Sequence, residues 1–161
     1  MIPRKIILHH SLTKDSGTVS WGAIRRYHVT PEDDHSIFPD GGLGMRDIGY
    51  HAGVELVQSG PELYYEVLMG RPWDAPGGHT KGQNQTSLGI CFIGDFDIRE
   101  PPEGQLIAGA RIVALWMRLF AIPIGEIYRH ADFASKSCPG KMFDLPGFKK
   151  IVADEMRSSN S

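Results

Sequence analysis

The sequence has no excess of charge of one sign. It contains 17 lysines and arginines against 19 aspartates and glutamates, which gives a formal net charge of −2. Binding to nucleic acid needs a surplus of cations, usually in a stripe, to neutralise the phosphates. No such stripe is present, so we expect no nucleic-acid partner.

Long apolar runs are also missing. The start of the chain, residues 1–5, has two basic residues, but only Ile6, Ile7 and Leu8 follow before His9. This run is too short for the hydrophobic part of a secretory signal peptide. No stretch approaches the roughly 18 consecutive apolar residues of a membrane span. We therefore expect a protein without a membrane span that stays in the cytoplasm as synthesised.

Cysteine is scarce, and no CxxC pair of the kind found in structural zinc sites occurs. The two cysteines are Cys91 and Cys138. In a cytosolic protein, two thiols are more typical of metal binding or of free cysteines than of a disulfide. Cys91 lies in the apolar run 88–93 and is predicted to be a buried core thiol. Cys138 precedes a proline in polar surroundings and is the better candidate for chemistry.

What the sequence does contain is enough for one hydrophobic core. It has 161 residues, of which 41% are hydrophobic and 22% charged. That size suits one core better than two. No internal repeat or low-complexity tract divides the chain, so residues 1–161 are predicted to form a single catalytic domain with a polar tail from about residue 158.

Hydrophobic periodicity predicts alternating strands and helices. Strands are predicted over residues 5–9, 50–57, 63–68, 88–93 and 127–129, and helices over 21–28, 105–120 and 144–157. Residues 58–61 read as a hairpin turn between the second and third strands. This order predicts an α/β fold: a three-layer domain with a central mixed β-sheet flanked by helices.

The segment 30–46 is rich in glycine, proline and aspartate, and it is longer than most connections. Loops of this length in small domains often form binding walls or lids. A disordered excursion is the other interpretation, and the sequence alone does not decide between them.

One short segment combines metal-binding groups. Residues 130–139 begin with His130 and contain Lys136 and Cys138, while His9 and His10 follow the first predicted strand. Three such ligands with an open fourth position make a catalytic zinc site. Alternatively, Cys138 is the nucleophile and His130 the base of a Cys–His hydrolase. That alternative explains neither the N-terminal histidines nor the motifs below.

Five motifs spread along the chain support the metal interpretation. They are Ile7–Ser11 (ILHHS), Asp47–His51 (DIGYH), His79–Asn84 (HTKGQN), Ser87–Gly94 (SLGICFIG) and His130–Pro139 (HADFASKSCP). In content and order they resemble the type 2 N-acetylmuramoyl-L-alanine amidases, a zinc family that includes phage amidases and peptidoglycan recognition proteins. The phage branch is the most similar.

The resemblance implies roles for individual residues. It assigns one zinc ion per chain to His9, His130 and Cys138, and it assigns catalysis to Tyr50 and Lys136, near the oxyanion and the leaving amine. His10 is then a core residue or supports a ligand. Alternation along the strand does not choose between His9 and His10, because a strand buried on both faces shows no period of two.

Other side chains have weaker assignments. The resemblance places His79 in the groove, as a candidate for substrate contact. Trp73 either stacks on the substrate or anchors its loop. His51 is interpreted first as structural, and His28 and His35 have no assigned role.

The function implied by the resemblance is hydrolysis of the amide bond between N-acetylmuramic acid and L-alanine in bacterial peptidoglycan. A phage or prophage endolysin that reaches the wall at lysis is the first expectation. A cytosolic amidase that recycles muropeptides is an alternative. A non-catalytic recognition module is a third, but such relatives typically lack the thiolate ligand, whereas Cys138, Lys136 and Tyr50 are all present here.

Overall fold

The computed structural model describes residues 1–13, 20–59 and 61–158. The tip of the predicted hairpin turn at Gly60 and the last three residues of the predicted polar tail therefore lie outside the described residues. The elements are, in chain order, β1 (Lys5–His10), α1 (Trp21–Val29), β2 (Ala52–Ser59), β3 (Glu62–Met69), β4 (Ser87–Phe92), α2 (Glu103–Phe120), β5 (Ile127–Arg129) and α3 (Leu145–Ser158). Every predicted element is present, with ends shifted by at most two residues.

The five strands form one mixed sheet in the order β3-β2-β4-β1-β5. β1 lies parallel to both β4 and β5, and β2 is parallel to β4. Among the strand pairs of the described residues, only β2 and β3 are antiparallel. Because β1 and β5 run in the same direction side by side, their carboxyl ends meet at one edge of the sheet, which positions the residues that follow them.

Helices α2 and α3 cover one face of the sheet and enclose the larger core. Its biggest fully buried side chains are aromatic: Phe92, Phe96, Trp116 and Phe148. Helix α2 starts after Pro102, whose carbonyl accepts hydrogen bonds from the first turn, and it ends at Ala121 in the left-handed conformation.

Helix α1 covers the opposite face, which confirms the predicted three-layer α/β arrangement. The Ser20 side chain caps the helix by accepting a hydrogen bond from the Ala23 amide at 3.2 Å. Trp21 lies flat over β2 at Gly53, where an added Cβ would come within 2.3 Å of the indole ring. Glycine at this position lets the helix approach the sheet closely.

The long segment 30–46 folds back along α1. The amides of Leu43, Gly44 and Met45 donate to the carbonyls at the end of the helix, at 2.8–3.1 Å. These bonds favour the wall interpretation over a disordered excursion. In the described part of the chain, none of the helices has the length and apolar character that crossing a membrane requires.

Candidate active site

The three predicted ligands converge at the edge of the sheet where β1 and β5 end. His9 is the penultimate residue of β1, and His130 begins a short 3-10 helix directly after β5. One ligand atom from each of His9, His130 and Cys138 lies within 4.8 Å of the other two. The His9 Nδ1 atom is 3.6 Å from the Cys138 Sγ atom.

The register of β1 separates the two adjacent histidines. His10 turns towards the other face of the sheet, where its ring packs near Phe96 and its Nδ1 accepts a hydrogen bond from the Phe96 amide at 3.2 Å. The His10 amide also donates to the Cys138 sulfur at 3.4 Å. His9 therefore lies with His130 and Cys138, and we call these three residues the ligand cluster. His10 supports the cluster through its amide.

The loop that carries Cys138 is held at both ends. The Ala131 amide donates to the Cys138 carbonyl at 2.7 Å, which closes the loop on His130. Asp97 accepts from the Ser137 hydroxyl at 2.6 Å and from the Lys141 amide at 2.9 Å. Both hydrogen bonds lower the pKa of Asp97, and the bond from Ser137 has the larger effect. Sequence reasoning missed Asp97, because a lone aspartate in a loop carries no local signal.

Burial keeps the ligand cluster uncharged in the absence of a metal. It lowers the pKa of His9, with the neighbouring His79 adding to the effect. The pKa of His130 is also lowered by burial and then by the Lys136 ammonium. Burial raises the pKa of Cys138 to about 11. Neutral imidazoles are the form that binds metals, and a bound metal deprotonates a coordinating thiol.

The cluster fits a tetrahedral metal ion. Zinc–nitrogen and zinc–sulfur bonds of about 2.05 and 2.3 Å at the tetrahedral angle place N and S about 3.6 Å apart. The observed His9–Cys138 separation is 3.6 Å. The same side chains line an open cleft of about 370 Å³, so one side of the cluster faces solvent.

Tyr50 and Lys136 line this same cleft. The Tyr50 ring lies 5.1 Å from the His9 ring, and its hydroxyl hydrogen-bonds to the Cys91 thiol. Burial first, and then the Cys91 and Cys138 thiols, raise the pKa of Tyr50 well above its usual value. Tyr50 is therefore a protonated donor at neutral pH. The Lys136 side chain is exposed at the mouth of the cleft.

His79 and Trp73 occupy different environments. His79 is buried behind His9, with its Nδ1 atom 3.0 Å from His9 Nε2. Trp73 is partly buried and packs edge-on against Trp116 of α2 at 5.9 Å, at the border of the larger core. The structure thus places Trp73 away from the ligand cluster, which favours the loop-anchoring alternative.

The remaining buried histidines bind backbone groups. The Nδ1 atom of His51 accepts from the Gly89 amide at 2.9 Å, and His51 Nε2 contacts the Ala75 carbonyl at 3.0 Å. His28 Nδ1 accepts from the Gly49 amide at 2.8 Å. These contacts agree with the structural interpretation of His51. His28 has a similar structural role, because its ring also hydrogen-bonds to a backbone amide.

Fold and site together define a hydrolase of the amidase and peptidoglycan-recognition class. The chain belongs to the N-acetylmuramoyl-L-alanine amidase family, whose family model matches residues 1–141. The predicted resemblance is thereby confirmed, and the protein is an enzyme of this amidase family.

Curated relatives agree with this assignment. The chain is 32% identical over 145 residues to the endolysin of Klebsiella phage KP32, covering 88% of this chain and 82% of the relative. It is 30% identical over 143 residues to the endolysin of Escherichia phage T7, covering 87% and 81%.

Solved structures show the same fold. The N-acetylmuramoyl-L-alanine amidase LysC from Clostridium intestinale URNW superposes with a TM-score of 0.67 at 20% identity, covering 94% of this chain and 86% of that one. A complex of the peptidoglycan recognition proteins LCa and LCx with tracheal cytotoxin gives a TM-score of 0.65 at 26% identity, covering 88% and 78%.

Proposed function

We propose that the protein is a zinc-dependent endolysin that cleaves the amide between the lactyl group of N-acetylmuramic acid and L-alanine in peptidoglycan. The observation that carries the proposal is the convergence of His9, His130 and Cys138 on one point of an open cleft that also contains Tyr50 and Lys136. The similarity to phage endolysins over more than four fifths of each chain supports the biological setting.

The metal in this proposal is one zinc ion per chain. Held by two neutral imidazoles and one thiolate, a zinc ion would keep one net positive charge and would supply Lewis acidity towards a carbonyl oxygen or a water molecule. His9 and His130 contribute nitrogen ligands, and Cys138 contributes sulfur after losing its proton. The hydrogen bond from the His10 amide to that sulfur stabilises the thiolate.

Tyr50 acts as a hydrogen-bond donor within the cleft. Its hydroxyl remains protonated because burial raises its pKa. A neutral phenol beside the ligand cluster can hold a water molecule or the departing amine in place. The ring position is set on one side by His9 and on the other by Trp21, at centroid distances of 5.1 and 6.3 Å.

Lys136 supplies positive charge where negative charge develops. Attack on an amide carbonyl produces a tetrahedral oxyanion, and a fixed cation near that oxygen lowers the barrier. Lys136 lines the cleft and both depressions that adjoin it. It is therefore close to the scissile bond whichever way the substrate enters.

The two adjoining depressions have different chemistry. One, of about 580 Å³, is bordered by α1 and the 30–46 wall and presents Tyr27, Phe38 and Leu43. The other, of about 480 Å³, presents Thr80 and Lys81 among other polar groups. A substrate that extends on both sides of its scissile amide has a surface to contact in each direction, as peptidoglycan and its muropeptides require.

The Cys–His hydrolase alternative is less well supported. A cysteine nucleophile needs a lowered thiol pKa, whereas burial raises the pKa of Cys138 to about 11. A metal ligand is the role that suits a buried thiol beside two neutral imidazoles.

Digestion of purified peptidoglycan tests the proposal. We expect new N-terminal alanine, intact glycan strands and no new reducing ends, because the described residues that line the cleft include no pair of carboxylates of the kind by which most glycosidases act. Activity should disappear with a chelator and return with zinc, and the protein should bind about one zinc per chain. New reducing ends, or full activity after complete removal of metal, would contradict the proposal.

Substrate choice separates endolysin from recycling enzyme. We expect intact cell-wall sacculi to be cleaved at least as readily as soluble muropeptides. Cleavage of the soluble fragments alone would favour the cytosolic recycling amidase. Tight binding with neither product would favour a recognition module.

A further inference from the structure

The His79 ring lies in a slot directly behind His9, at the border of the polar depression that contains Thr80 and Lys81. Only 8% of His79 is exposed. Its Nδ1 atom lies 3.0 Å from the Nε2 atom of His9, and the two rings meet edge to face at 83°. A side chain that is almost covered has little surface for a substrate, so the contact with His9 dominates its surroundings.

The slot is shaped for an imidazole. Two glycines border the ring: a Cβ added at Gly77 would lie 2.4 Å from its Cδ2 atom, and one added at Gly89 would lie 2.5 Å from the same atom. Asn84 fixes the backbone, because its side-chain oxygen accepts from the amides of His79 and Thr80, each at 2.9 Å. The ring is thus bordered by Gly89 of β4 and by Gly77 of the loop before it, and Asn84 fixes the backbone that carries it.

The hydrogen bonds around this ring have a direction. The Ser87 hydroxyl donates its hydrogen to the Gln83 carbonyl at 2.8 Å, so its oxygen offers a lone pair to His79 Nε2 at 3.5 Å. With its proton on Nε2, His79 presents Nδ1 as an acceptor towards His9 Nε2.

Thr80 reinforces the same arrangement. Its hydroxyl oxygen lies 3.3 Å from His9 Nε2 and 3.1 Å from His79 Nδ1. As an acceptor from His9 Nε2, this oxygen leaves the single lone pair of His79 Nδ1 free to accept from the same N–H group. Both acceptors available to His9 Nε2 therefore favour a proton on that nitrogen.

We propose that His79 is a positioning residue that accepts the Nε2 proton of His9 and so leaves the His9 Nδ1 lone pair facing Cys138 and His130. It is an alternative to the predicted substrate contact at His79, which stays a prediction. Its link to zinc rests on the proposed function, but the tautomer of His9 is a property of the metal-free protein and is testable by itself.

The proposal makes a different prediction from a substrate contact. Loss of a group that orients a metal-binding histidine typically weakens metal affinity by about 10- to 100-fold. Loss of a substrate contact raises KM and leaves metal affinity unchanged. Zinc affinity, measured by competition with a chromophoric chelator, therefore separates the two.

The first test is long-range proton–nitrogen NMR on metal-free protein with nitrogen-15-labelled histidine. We expect His9 to carry its proton on Nε2. A proton on Nδ1 would overturn the proposal. Because no metal is present, this result stands even if zinc fails to bind the wild-type protein, which would instead contradict the proposed function.

The second test compares variants at two buried imidazoles. His79→Leu should weaken zinc binding about 10- to 100-fold, and His79→Gln should restore part of it, because an amide oxygen can accept the His9 proton. His51→Leu is the matched control for loss of a buried imidazole, with zinc affinity expected near that of the wild type.

Three outcomes would overturn the proposal here. They are unchanged zinc affinity with a raised KM in His79→Leu, equal weakening in His51→Leu, and no recovery in His79→Gln. Should His79→Leu fail to fold, the position of the His9 proton in the metal-free wild-type protein still decides the proposal.

Discussion

The two faces of the sheet bury different kinds of side chain, although the same strands form both. The face under α2 and α3 is filled with large apolar groups, among them Phe92, Trp116 and Phe148, all fully buried. The face under α1 instead buries imidazoles, thiols and glycines around a small apolar cluster. Adjacent residues divide between them: Leu8 belongs to the large core and His9 to the ligand cluster.

This difference separates stability from chemistry. Burial of large apolar side chains provides most of the driving force for folding. The α2–α3 face should therefore contribute most of the stability of the fold. Buried polar groups are costly unless they are hydrogen-bonded. On the α1 face, His9, His28, His51 and His79 each have a hydrogen-bonding partner. The polar face is thus a network supported by the apolar one.

The largest effect should come from removing the thiol. Cys138→Ala takes one of three ligands from the proposed metal site, and we expect loss of bound zinc and a fall in turnover of at least about 10³-fold, since the metal supplies several kcal/mol of transition-state stabilisation. The metal-free variant should unfold at nearly the same urea concentration as metal-free wild type. A large loss of stability there would show that the two faces are not separable.

The reverse experiment acts on the apolar face. Phe148→Ala removes a fully buried ring and should reduce the free energy of unfolding by about 3–5 kcal/mol, the usual cost of such a truncation. The fraction that remains folded should still bind zinc at one ion per chain. Urea denaturation and metal analysis of the folded fraction measure the two quantities. Loss of zinc binding from fully folded protein would contradict the division.

Much of this fold follows from the sequence. The apolar runs and helical spacing predict every element, and the largest boundary differences are two residues. The predicted strand over 50–57 shows why: Tyr50 and His51 make backbone hydrogen bonds with Arg71, Gly70 and Gly89, yet the strand itself begins at Ala52. Hydrophobic periodicity indicates which residues are apolar, but it does not indicate where the hydrogen-bonded ladder of a strand begins.

The site was less accessible to such reasoning. Local spacing does not distinguish His9 from His10, because β1 is buried on both faces. The family resemblance favours His9, and the register of β1 gives the physical reason. The contacts of His79 with His9 and of Asp97 with Ser137 join residues 70 and 40 positions apart. Such pairs leave no local pattern, so only the folded chain brings them to notice.

A smaller effect is expected from the two catalytic candidates. Lys136→Ala and Tyr50→Phe should each reduce turnover by about 10²-fold, the scale of losing one proton donor or charge stabiliser. Both variants should keep their zinc, because neither side chain belongs to the ligand cluster. Lys150→Ala, at an exposed position of α3 outside the cleft, is a matched control for loss of a lysine and should retain turnover within a few-fold. Near-normal turnover in both catalytic variants would contradict the proposed roles.

A further effect concerns acid. Burial lowers the pKa of His28 and of His51 from 6.5 to about 4. Between these values the unfolded chain binds protons that the folded protein does not. The free energy of unfolding of metal-free protein should therefore fall as pH decreases from about 6.5 to about 4, by about 1 kcal/mol per pH unit for each fully buried imidazole. Urea titrations at several pH values should show a shallower fall in His51→Leu than in wild type, whereas Phe148→Leu, on the apolar face, should lower stability without changing the slope. If His51→Leu keeps the wild-type slope, His51 does not contribute to the acid sensitivity.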